Sequence, residues 1–372
     1  MKLLRVCASN YKNCCDDFTI DLMTKSKKTS EDKEYELQEV VEDLYVFNTA
    51  AFVGKNASGK TSAIELLECC YSILSEFRLE DKHYNYDNVK LEIIFYYEDY
   101  IYKYNTVLKA DPNLGSKANF TEQYIYRKKY YKSKVKEIYS DNGFEKIEDL
   151  GELPEDTSVV FFVLKKKVTR AVYFNCNGEG TDTYRLMFRA MKTYKVSKEI
   201  LTKVIKIFDD QIQNLEMMDE KHYKLTYQDG TKEFSDSELV YMLSSGTTKG
   251  ILLYLFVFAA LENGFDLLID EVENHFHKTL VENMISLFKD KTVNKKSATL
   301  IFTTHYCEVL DLFNRQDNIW IAKSDNKIRL DNMYEIYNIR PELLKSRQFY
   351  NNAFDTSVNY EDLMALKKEL MR

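Results

Sequence analysis

A segment of small and phosphate-binding residues follows an apolar run early in the chain. Phe52–Ile64 reads FVGKNASGKTSAI and fits the pattern G-x-x-x-x-G-K-[ST]. In that pattern the glycines let backbone N–H groups point at phosphate oxygens, the lysine reaches the β- and γ-phosphates, and the hydroxyl ligates Mg²⁺. The sequence therefore predicts a phosphate and Mg²⁺ site at Gly54, Lys55, Asn56, Ala57, Ser58, Gly59, Lys60, Thr61 and Ser62.

The neighbouring residues supply the elements that this pattern needs. The apolar runs Leu44–Phe47 and Ala50–Val53 predict strands before the loop, and the apolar spacing over Ser62–Leu74 predicts a helix after it. The alternative is a chance match in a glycine turn. The strand–loop–helix context favours a nucleotide site, with Lys60 as its cation and Thr61 as a metal ligand.

Two acidic residues end a second apolar run. In Asp266–Glu271, DLLIDE, Asp270 can hold the Mg²⁺ shell and Glu271 can polarise an attacking water. The alternative is a strand capped by solvated acids. Together with the phosphate loop upstream, the run predicts the metal-binding and catalytic carboxylates of a nucleotide hydrolase.

Two further segments could approach a phosphate. Leu243–Thr247, LSSGT, precedes a predicted helix, and a helix N-terminus favours anions; the alternative is an ordinary serine cap. Leu300–His305, LIFTTH, predicts a buried strand that delivers His305 at its carboxyl end, where ligands of open α/β sheets bind. A lone histidine is more often structural, but this one follows the strand after the acidic pair.

These motifs together carry a family resemblance. LSSGT resembles the LSGGQ signature of ABC-type ATPases, and with GKNASGKTS, LLIDEVENHFH and LIFTTH the chain resembles the soluble branch that includes SMC, RecF and OLD-type heads. The resemblance implies ATP and Mg²⁺ held between two copies, with the signature of one copy on the γ-phosphate bound by the other. It implies signature residues Ser244, Ser245 and Gly246, and catalytic residues Glu271, His305 and Lys60.

The sequence departs from the family pattern at several points. Ser245 stands where the family usually has glycine, and Thr247 where it often has glutamine. His277 matches a histidine common in related ATPases, but a helix-start position explains it equally well, and we assign it no catalytic role. Gln123 is the single glutamine between residues 62 and 210 and is therefore the candidate for the family's Q-loop glutamine.

Composition restricts the class of protein. The 372 residues carry 52 Lys and Arg against 59 Asp and Glu, a net charge of −7, so any nucleic-acid contact must be a local patch. The seven cysteines show no metal-ligand spacing, as expected for free thiols in a reducing compartment. The start lacks an export signal, and the longest apolar run, Ile251–Leu261, is too short to span a bilayer. We therefore expect a cytoplasmic location and no membrane contact.

The patterning predicts an α/β fold, which the resemblance specifies as an ABC-type P-loop ATPase head with an N-terminal antiparallel β-subdomain and an inserted helical lobe. We expect the head in residues 1–110 and 237–340, the inserted β/helical lobe in 111–236, and a helical tail in 341–372. The elements expected within these segments are a hairpin over Leu3–Leu22, a mobile link over Thr24–Glu39, strands at Val89–Tyr97, Tyr100–Leu108, Phe120–Tyr131, Lys134–Tyr139 and Val159–Val163, and two helices within Arg185–Met217. Those expected after them are helices at Gly250–Leu261 and Lys278–Phe288 and strands at Asp266–Ile269, Thr299–Thr303 and Asn318–Lys323.

Two basic stretches fall within the predicted insertion. Tyrosines interleave the first stretch, which would suit DNA or RNA through phosphate contact and base stacking; the alternative is one solvated basic face. The residues concerned are Tyr124, Tyr126, Arg127, Lys128, Lys129, Tyr130, Tyr131, Lys132, Lys134 and Lys136, and then Lys165, Lys166, Lys167 and Arg170.

The motifs and the resemblance predict a Mg²⁺-dependent ATPase that dimerises around ATP and controls a partner protein. The resemblance extends to ATPase subunits of bacterial anti-phage defence systems, which implies a separate effector of nuclease or toxin type. The alternatives are a DNA-repair ATPase of RecF or SMC type, a slow nucleotide-gated scaffold, and a GTP switch, for which Ala322–Asp325 faintly resembles a guanine-reading loop but lacks its asparagine.

Overall fold

The computed structural model describes residues 1–76, 79, 88–110, 118–147, 154–164, 170–175, 183–274, 276–337, 339–340, 342–356 and 360–371. Lys165, Lys166 and Lys167 of the second basic stretch lie outside the described residues.

One six-stranded sheet carries the predicted phosphate site. Across the sheet its strands are β10 (Ala171–Asn175), β14 (Asp266–Asp270), β15 (Leu300–Thr304), β5 (Thr49–Val53), β16 (Ile319–Ser324) and β17 (Ile328–Asn332). The first five run parallel, and β17 pairs antiparallel with β16. Every residue of β5, β14 and β15 is buried, as expected for strands covered on both faces. The carboxyl ends of these three strands therefore meet at one edge.

Helices cover both faces of this sheet. On one face α1 (Lys60–Ser75) packs in a core that it shares with the antiparallel strands, and on the other face lie α6 (Ser245–Asn263) and α7 (Lys278–Lys289). The α6 helix ends at Gly264, which adopts a left-handed φ of 76°, a conformation that costs glycine little. The mixed α/β class and the core strands and helices predicted from residue 250 onward are confirmed.

A second six-stranded sheet is entirely antiparallel. Its order is β2 (Phe18–Asp21), β1 (Lys2–Ser9), β6 (Val89–Tyr97), β7 (Tyr100–Ala110), β8 (Ala118–Lys129) and β9 (Glu145–Lys146). The predicted hairpin is confirmed by the pairing of β1 with β2, and three of the predicted strands correspond to β6, β7 and β8. A separate two-stranded sheet consists of β3 (Leu37–Val41) and β4 (Leu44–Phe47).

A lobe of helices and strands lies between β10 and α6 in the sequence. It contains α3 (Thr183–Tyr194), α4 (Lys198–Phe208), α5 (Asp236–Met242) and an antiparallel sheet of β11 (Ile212–Met217), β12 (His222–Tyr227) and β13 (Gly230–Ser235). The two predicted helices are present, but the second ends at Phe208. Its extension to Met217 is wrong, because Ile212 and Leu215 are buried strand residues that pair with β12.

Three local predictions are wrong. The segment expected as a strand at Lys134–Tyr139 contains a 3₁₀ turn, Lys132–Glu137, and Lys128 donates to the carbonyls at its end. The run expected as a strand at Val159–Val163 is the helix α2 (Val159–Leu164), which packs on α1; a short apolar run does not distinguish strand from buried helix.

The third error concerns the link expected to be mobile. Within Thr24–Glu39 the chain forms a single π-helical turn, Asp32–Glu36, and the start of β3. Arg315 anchors this link, because its guanidinium donates to Asp32 and to the carbonyl oxygens of Lys27 and Ser26. A tertiary contact that spans nearly the whole sequence therefore orders a segment whose own composition is polar.

The chain ends in short helices, α8 (Met333–Ile336), α9 (Lys345–Tyr350) and α10 (Tyr360–Leu370). The predicted division at residues 110, 236 and 340 stays a prediction; β8 and β10 fall inside the predicted insertion and pair with β7 and β14, respectively. Among the described residues no single helix is long and apolar enough to cross a membrane, and one bent pair, α5 with α6, passes by length and composition.

Candidate functional site

The phosphate loop connects β5 to α1. Gly59 precedes the first residue of α1 with a φ of 99°, and Ala57 also has a positive φ, of 57°. A Cβ on Gly59 would lie 2.2 Å from Cγ2 of Ile328 on β17. Both the backbone angle and the close approach of the neighbouring strand therefore require glycine at this position.

Lys60 lies folded over this loop. Its Nζ donates hydrogen bonds of 3.1 Å to the carbonyl oxygens of Gly54 and Lys55, and its side chain is buried. Burial lowers the pKa of Lys60 from 10.5, while the carboxylates of Glu273, Glu271 and Asp270 oppose that shift. The site thus holds one ammonium group close to three carboxylates, and a phosphate would supply the anion that the loop's N–H groups favour.

The predicted metal ligands meet directly. Thr61 Oγ1 donates a 2.9 Å hydrogen bond to Oδ2 of Asp270, across 209 positions of sequence. The other carboxylate oxygen, Oδ1, accepts a 2.6 Å hydrogen bond from the hydroxyl of Thr303. A hydroxyl and a carboxylate at hydrogen-bond distance form the hard-oxygen donor set that Mg²⁺ prefers. Thr61 and Asp270 therefore fit a Mg²⁺ ion.

Glu271 lies at the turn after β14 with a φ of 52°. A positive φ is uncommon for a residue with a side chain and is found where the surroundings enforce it. Here the Glu271 N–H donates to Thr303 Oγ1 at 2.6 Å, and its carboxylate accepts a hydrogen bond from the side chain of Asn274. The carboxylate is thus held from both the backbone and the following loop.

His305 follows the last residue of β15. Its N–H donates to Oε1 of Glu273 at 2.5 Å. Burial lowers the pKa of His305 from 6.5, Lys60 lowers it further, and the carboxylates of Glu273 and Glu271 act in the opposite direction. The imidazole is therefore mainly neutral at neutral pH. The structure brings His305 together with Lys60, Thr61, Asp270 and Glu271 at the edge where the three buried strands end.

The predicted signature lies in a different part of the fold. Ser244 caps α6, since its side chain accepts from the N–H of Thr247 at 3.0 Å. The flanking residues Leu243 and Ile251 belong to the apolar core of the helical lobe, whereas the core on that face of the parallel sheet is a separate cluster. Ser244 is exposed, and Ser245 and Gly246 are half-buried. These three residues therefore form a helix start at the surface, in the helical lobe.

Gln123, the Q-loop candidate, is held by structural bonds. On β8 its side-chain oxygen accepts from Tyr104 at 2.7 Å and from the N–H of Val159 at 2.9 Å, and its amide donates to the carbonyl of Thr157 at 2.9 Å. These bonds connect the amide of β8 to β7 and to the start of α2, and the Q-loop role of Gln123 stays a prediction. His277 caps α7 by accepting from the Thr279 N–H, in agreement with the structural alternative.

Several residues of the first basic stretch have partners within the chain. Lys128 donates to the carbonyls of Glu137 and Ser140, and Lys132 pairs with Glu42. The guanidinium of Arg127 lies 5.2 Å from the ring centre of Tyr100. The solvated-face alternative accounts for these contacts.

The segment that resembles a guanine-reading loop is also engaged. Lys323 is buried on β16 and lies 3.7 Å from Asp331, and Asp325 lies 3.4 Å from Arg329. These pairs give both side chains structural partners, which disfavours the GTP-switch alternative.

Four residues at the site were not singled out from the sequence. Thr303 binds Asp270 and the backbone of Glu271, Glu273 binds the His305 backbone, Asn274 holds Glu271, and the hydroxyl of Tyr11 donates to the carbonyl of Ser62 at 3.3 Å. The spacing of Glu273 two residues after Glu271 was the one available signal. The others depend on contacts that no local pattern encodes.

No protein-family model matches the sequence, and a search of curated proteins gives no match. Among solved structures, one match is the crystal structure of the SmcHead bound to the C-winged helix domain of ScpA. It shares 13% identity with a TM-score of 0.47, covering 91% of this chain and 100% of that chain. A match of this degree supports no conclusion about this chain. Its fold is described by the sheet topology, and its function is argued from the geometry of the site.

Proposed function

We propose that the chain is a Mg²⁺-dependent ATPase of ABC type. The observation that carries this proposal is the 2.9 Å hydrogen bond between Thr61 Oγ1 and Asp270 Oδ2. It joins the phosphate loop to the acidic strand end in the arrangement that holds a metal against the β- and γ-phosphates of a nucleotide. Two sequence motifs far apart in the chain meet at one point, which a chance motif match does not predict.

Different residues of the site would contribute to different parts of phosphoryl transfer to water. Lys60 and the loop N–H groups would hold the β- and γ-phosphates, and Thr61 and Asp270 would hold Mg²⁺, which neutralises charge developing on the phosphates. Glu271 would accept the proton of the attacking water. The neutral imidazole of His305 would donate a hydrogen bond to the γ-phosphate.

Steady-state hydrolysis tests this proposal. The wild-type chain with ATP and Mg²⁺ should release phosphate, and chelation of the metal should abolish release. Lys60→Ala should lose ATP binding by calorimetry, since the loop loses its side-chain cation, whereas the surface variant Lys327→Ala should bind as wild type. Equal affinity of Lys60→Ala and wild type would exclude this site. A preference for GTP would support the switch alternative.

The proposal extends to a dimer closed around ATP. Its support is the position of Ser244, Ser245 and Gly246 at a surface-accessible helix start in the helical lobe, while the phosphate loop lies at the sheet edge. A second copy could present its helix start to the γ-phosphate, where the N–H groups and the helix dipole favour an anion.

We further propose that ATP-driven closure controls a separate partner protein, a nuclease or toxin of an anti-phage defence system. Its support is the resemblance of the motifs to those of ATPase subunits of bacterial anti-phage defence systems. The partner must have unequal affinity for the open and closed forms, because a partner that binds both equally could not be controlled by ATP.

Co-purification with the product of the adjacent gene tests this extension. The complex should form in one nucleotide state and dissociate in another, comparing ATP, ADP and Glu271→Gln. Failure to co-purify in all three states, together with tight, salt-sensitive DNA binding by the chain alone, would favour the RecF-like repair alternative.

A further inference from the structure

Glu273 is a buried carboxylate with only one of its oxygens engaged. It is 9% exposed. Oε1 accepts a 2.5 Å hydrogen bond from the N–H of His305, and Oε2 has no hydrogen-bond partner in the described part of the chain. Burial of a carboxylate in this state is costly. Because this carboxylate is buried beside the site despite that cost, it is a candidate for a function there.

The bond from Glu273 connects two loops that carry different parts of the site. Glu273 follows the acidic end of β14, and His305 follows the last residue of β15. His305 lies one residue beyond the end of β15, and the acceptor of its N–H is a side chain, not a neighbouring strand. The carboxylate supplies that acceptor and thereby fixes the start of the segment on which the imidazole is mounted.

The charge of Glu273 is also placed at the site. Burial lowers the pKa of Lys60, and the negative charge of Glu273 opposes this shift more strongly than the charges of Glu271 and Asp270 do. The charge of Glu273 also raises the pKa of His305, and it does so more strongly than the charge of Glu271. Glu273 therefore lies near both the loop lysine and the histidine, as the hydrogen bond to His305 requires.

We infer that Glu273 is a positioning residue for the proposed hydrolysis, which holds His305 in place for the γ-phosphate by accepting its backbone N–H. This inference rests on the proposed ATPase function. Glu273 acts through His305 and does not itself take the proton of the attacking water, which the inference leaves to Glu271.

Three variants of the full chain separate positioning from other roles. Glu273→Ala removes the acceptor of the His305 N–H, and hydrolysis should fall roughly 10–100-fold, the loss typical when a residue that orients a functional group of a site is removed. The KM for ATP should change by less than about threefold, because Lys60 and Thr61 are untouched. Glu273→Gln retains an oxygen acceptor and should recover most of the rate. Glu308→Gln makes the same chemical change three residues from His305 without this contact and should match wild type.

A double variant gives the decisive readout. If Glu273 acts through His305, His305→Ala with Glu273→Ala should hydrolyse ATP no more slowly than His305→Ala alone, since the two losses are not independent. Additive losses, or a Gln variant as slow as the Ala variant, would overturn the positioning role. A wild type without nucleotide binding or hydrolysis would instead reject the proposed function. Should Glu273→Ala fail to fold, Glu273→Met, which fills the space without an oxygen acceptor, replaces it in both comparisons, and equal rates of Glu273→Met and wild type would overturn the positioning role.

Discussion

The hydroxyl of Thr303 donates a 2.6 Å hydrogen bond to Oδ1 of Asp270. The Thr303 Oγ1 atom also accepts a 2.6 Å hydrogen bond from the N–H of Glu271. One buried hydroxyl on β15 therefore binds both the predicted metal ligand at the end of β14 and the backbone of Glu271, the predicted catalytic residue in the turn that follows. The neighbouring strand β15 therefore contributes directly to the geometry of the acid pair.

Thr303→Val tests this relationship. Valine has nearly the same shape, but it leaves the Asp270 oxygen without its donor and the Glu271 N–H without its acceptor. Each buried group left unpaired costs about 1–3 kcal/mol. We expect a lower free energy of unfolding by urea and slower ATP hydrolysis. Thr303→Ser keeps the hydroxyl and should retain most of both, so equal losses in the two variants would contradict this explanation.

Gly59→Ala should damage the phosphate loop. The residue has a φ of 99°, and an added Cβ would lie 2.2 Å from Ile328 Cγ2. Adopting such a backbone angle with a side chain costs about 1–3 kcal/mol, and the contact with β17 requires further movement. We expect ATP affinity by calorimetry to fall at least tenfold. Gly143→Ala is the control, since that glycine also has a positive φ but its Cβ would meet nothing within 4 Å. It should leave ATP affinity unchanged.

Glu271→Gln should bind ATP but hydrolyse it far more slowly. The water loses its proton acceptor, whereas Thr61 and Asp270 still hold the metal. The trapped species should be a dimer by light scattering with ATP and a monomer without it.

Ser244→Arg, added to Glu271→Gln, tests the shared site. A bulky cation at the α6 helix start should prevent dimerisation while ATP binding to each monomer persists. A monomeric Glu271→Gln protein with ATP bound, or unchanged dimerisation of the double variant, would contradict a site shared between copies.

Arg315→Ala should destabilise the fold at neutral pH. The buried guanidinium pairs with Asp32 at 2.9 Å and Asp317 at 2.6 Å. Removing one member of a buried ionic network leaves uncompensated charge and costs roughly 3–5 kcal/mol. The exposed Arg329, which lies 3.4 Å from Asp325, is the matched control, and Arg329→Ala should cost less than about 1 kcal/mol. Urea unfolding of both variants measures the difference.

The same network predicts an acid dependence of stability. Burial by itself raises the pKa of Asp317. The hydrogen bonds and charge of Arg315, together with hydrogen bonds from backbone N–H groups, lower it by more than burial raises it, so that the net pKa lies below 3.8. A lowered carboxyl pKa stabilises the fold above the unfolded pKa and loses that contribution as pH falls through the folded value. Stability should therefore fall below about pH 4, and Asp317→Asn should reduce this dependence.

Local patterns in the sequence determined the parts of the site that lie on single segments. The phosphate loop, the acid pair after an apolar strand and His305 after another apolar strand are each encoded within about ten residues, and parallel strands bring their carboxyl ends to one edge. The alternation of apolar and polar residues within Leu3–Leu22 likewise predicted the hairpin of β1 and β2, because half-buried antiparallel strands have a period of two.

The tertiary structure decided what depends on contacts distant in sequence. Val159–Leu164 is a helix because it packs on α1, and the polar link after Thr24 is ordered because Arg315 binds it across nearly 300 positions. The bonds of Gln123, selected as the single glutamine in its region, to Thr157 and Val159 likewise depend on residues more than 30 positions away. Thr303 and Asn274 had no local signal of a site role, and Glu273 had only its spacing from Glu271, because a hydroxyl, carboxylate or amide acquires such a role from the strand or loop that folding places beside it.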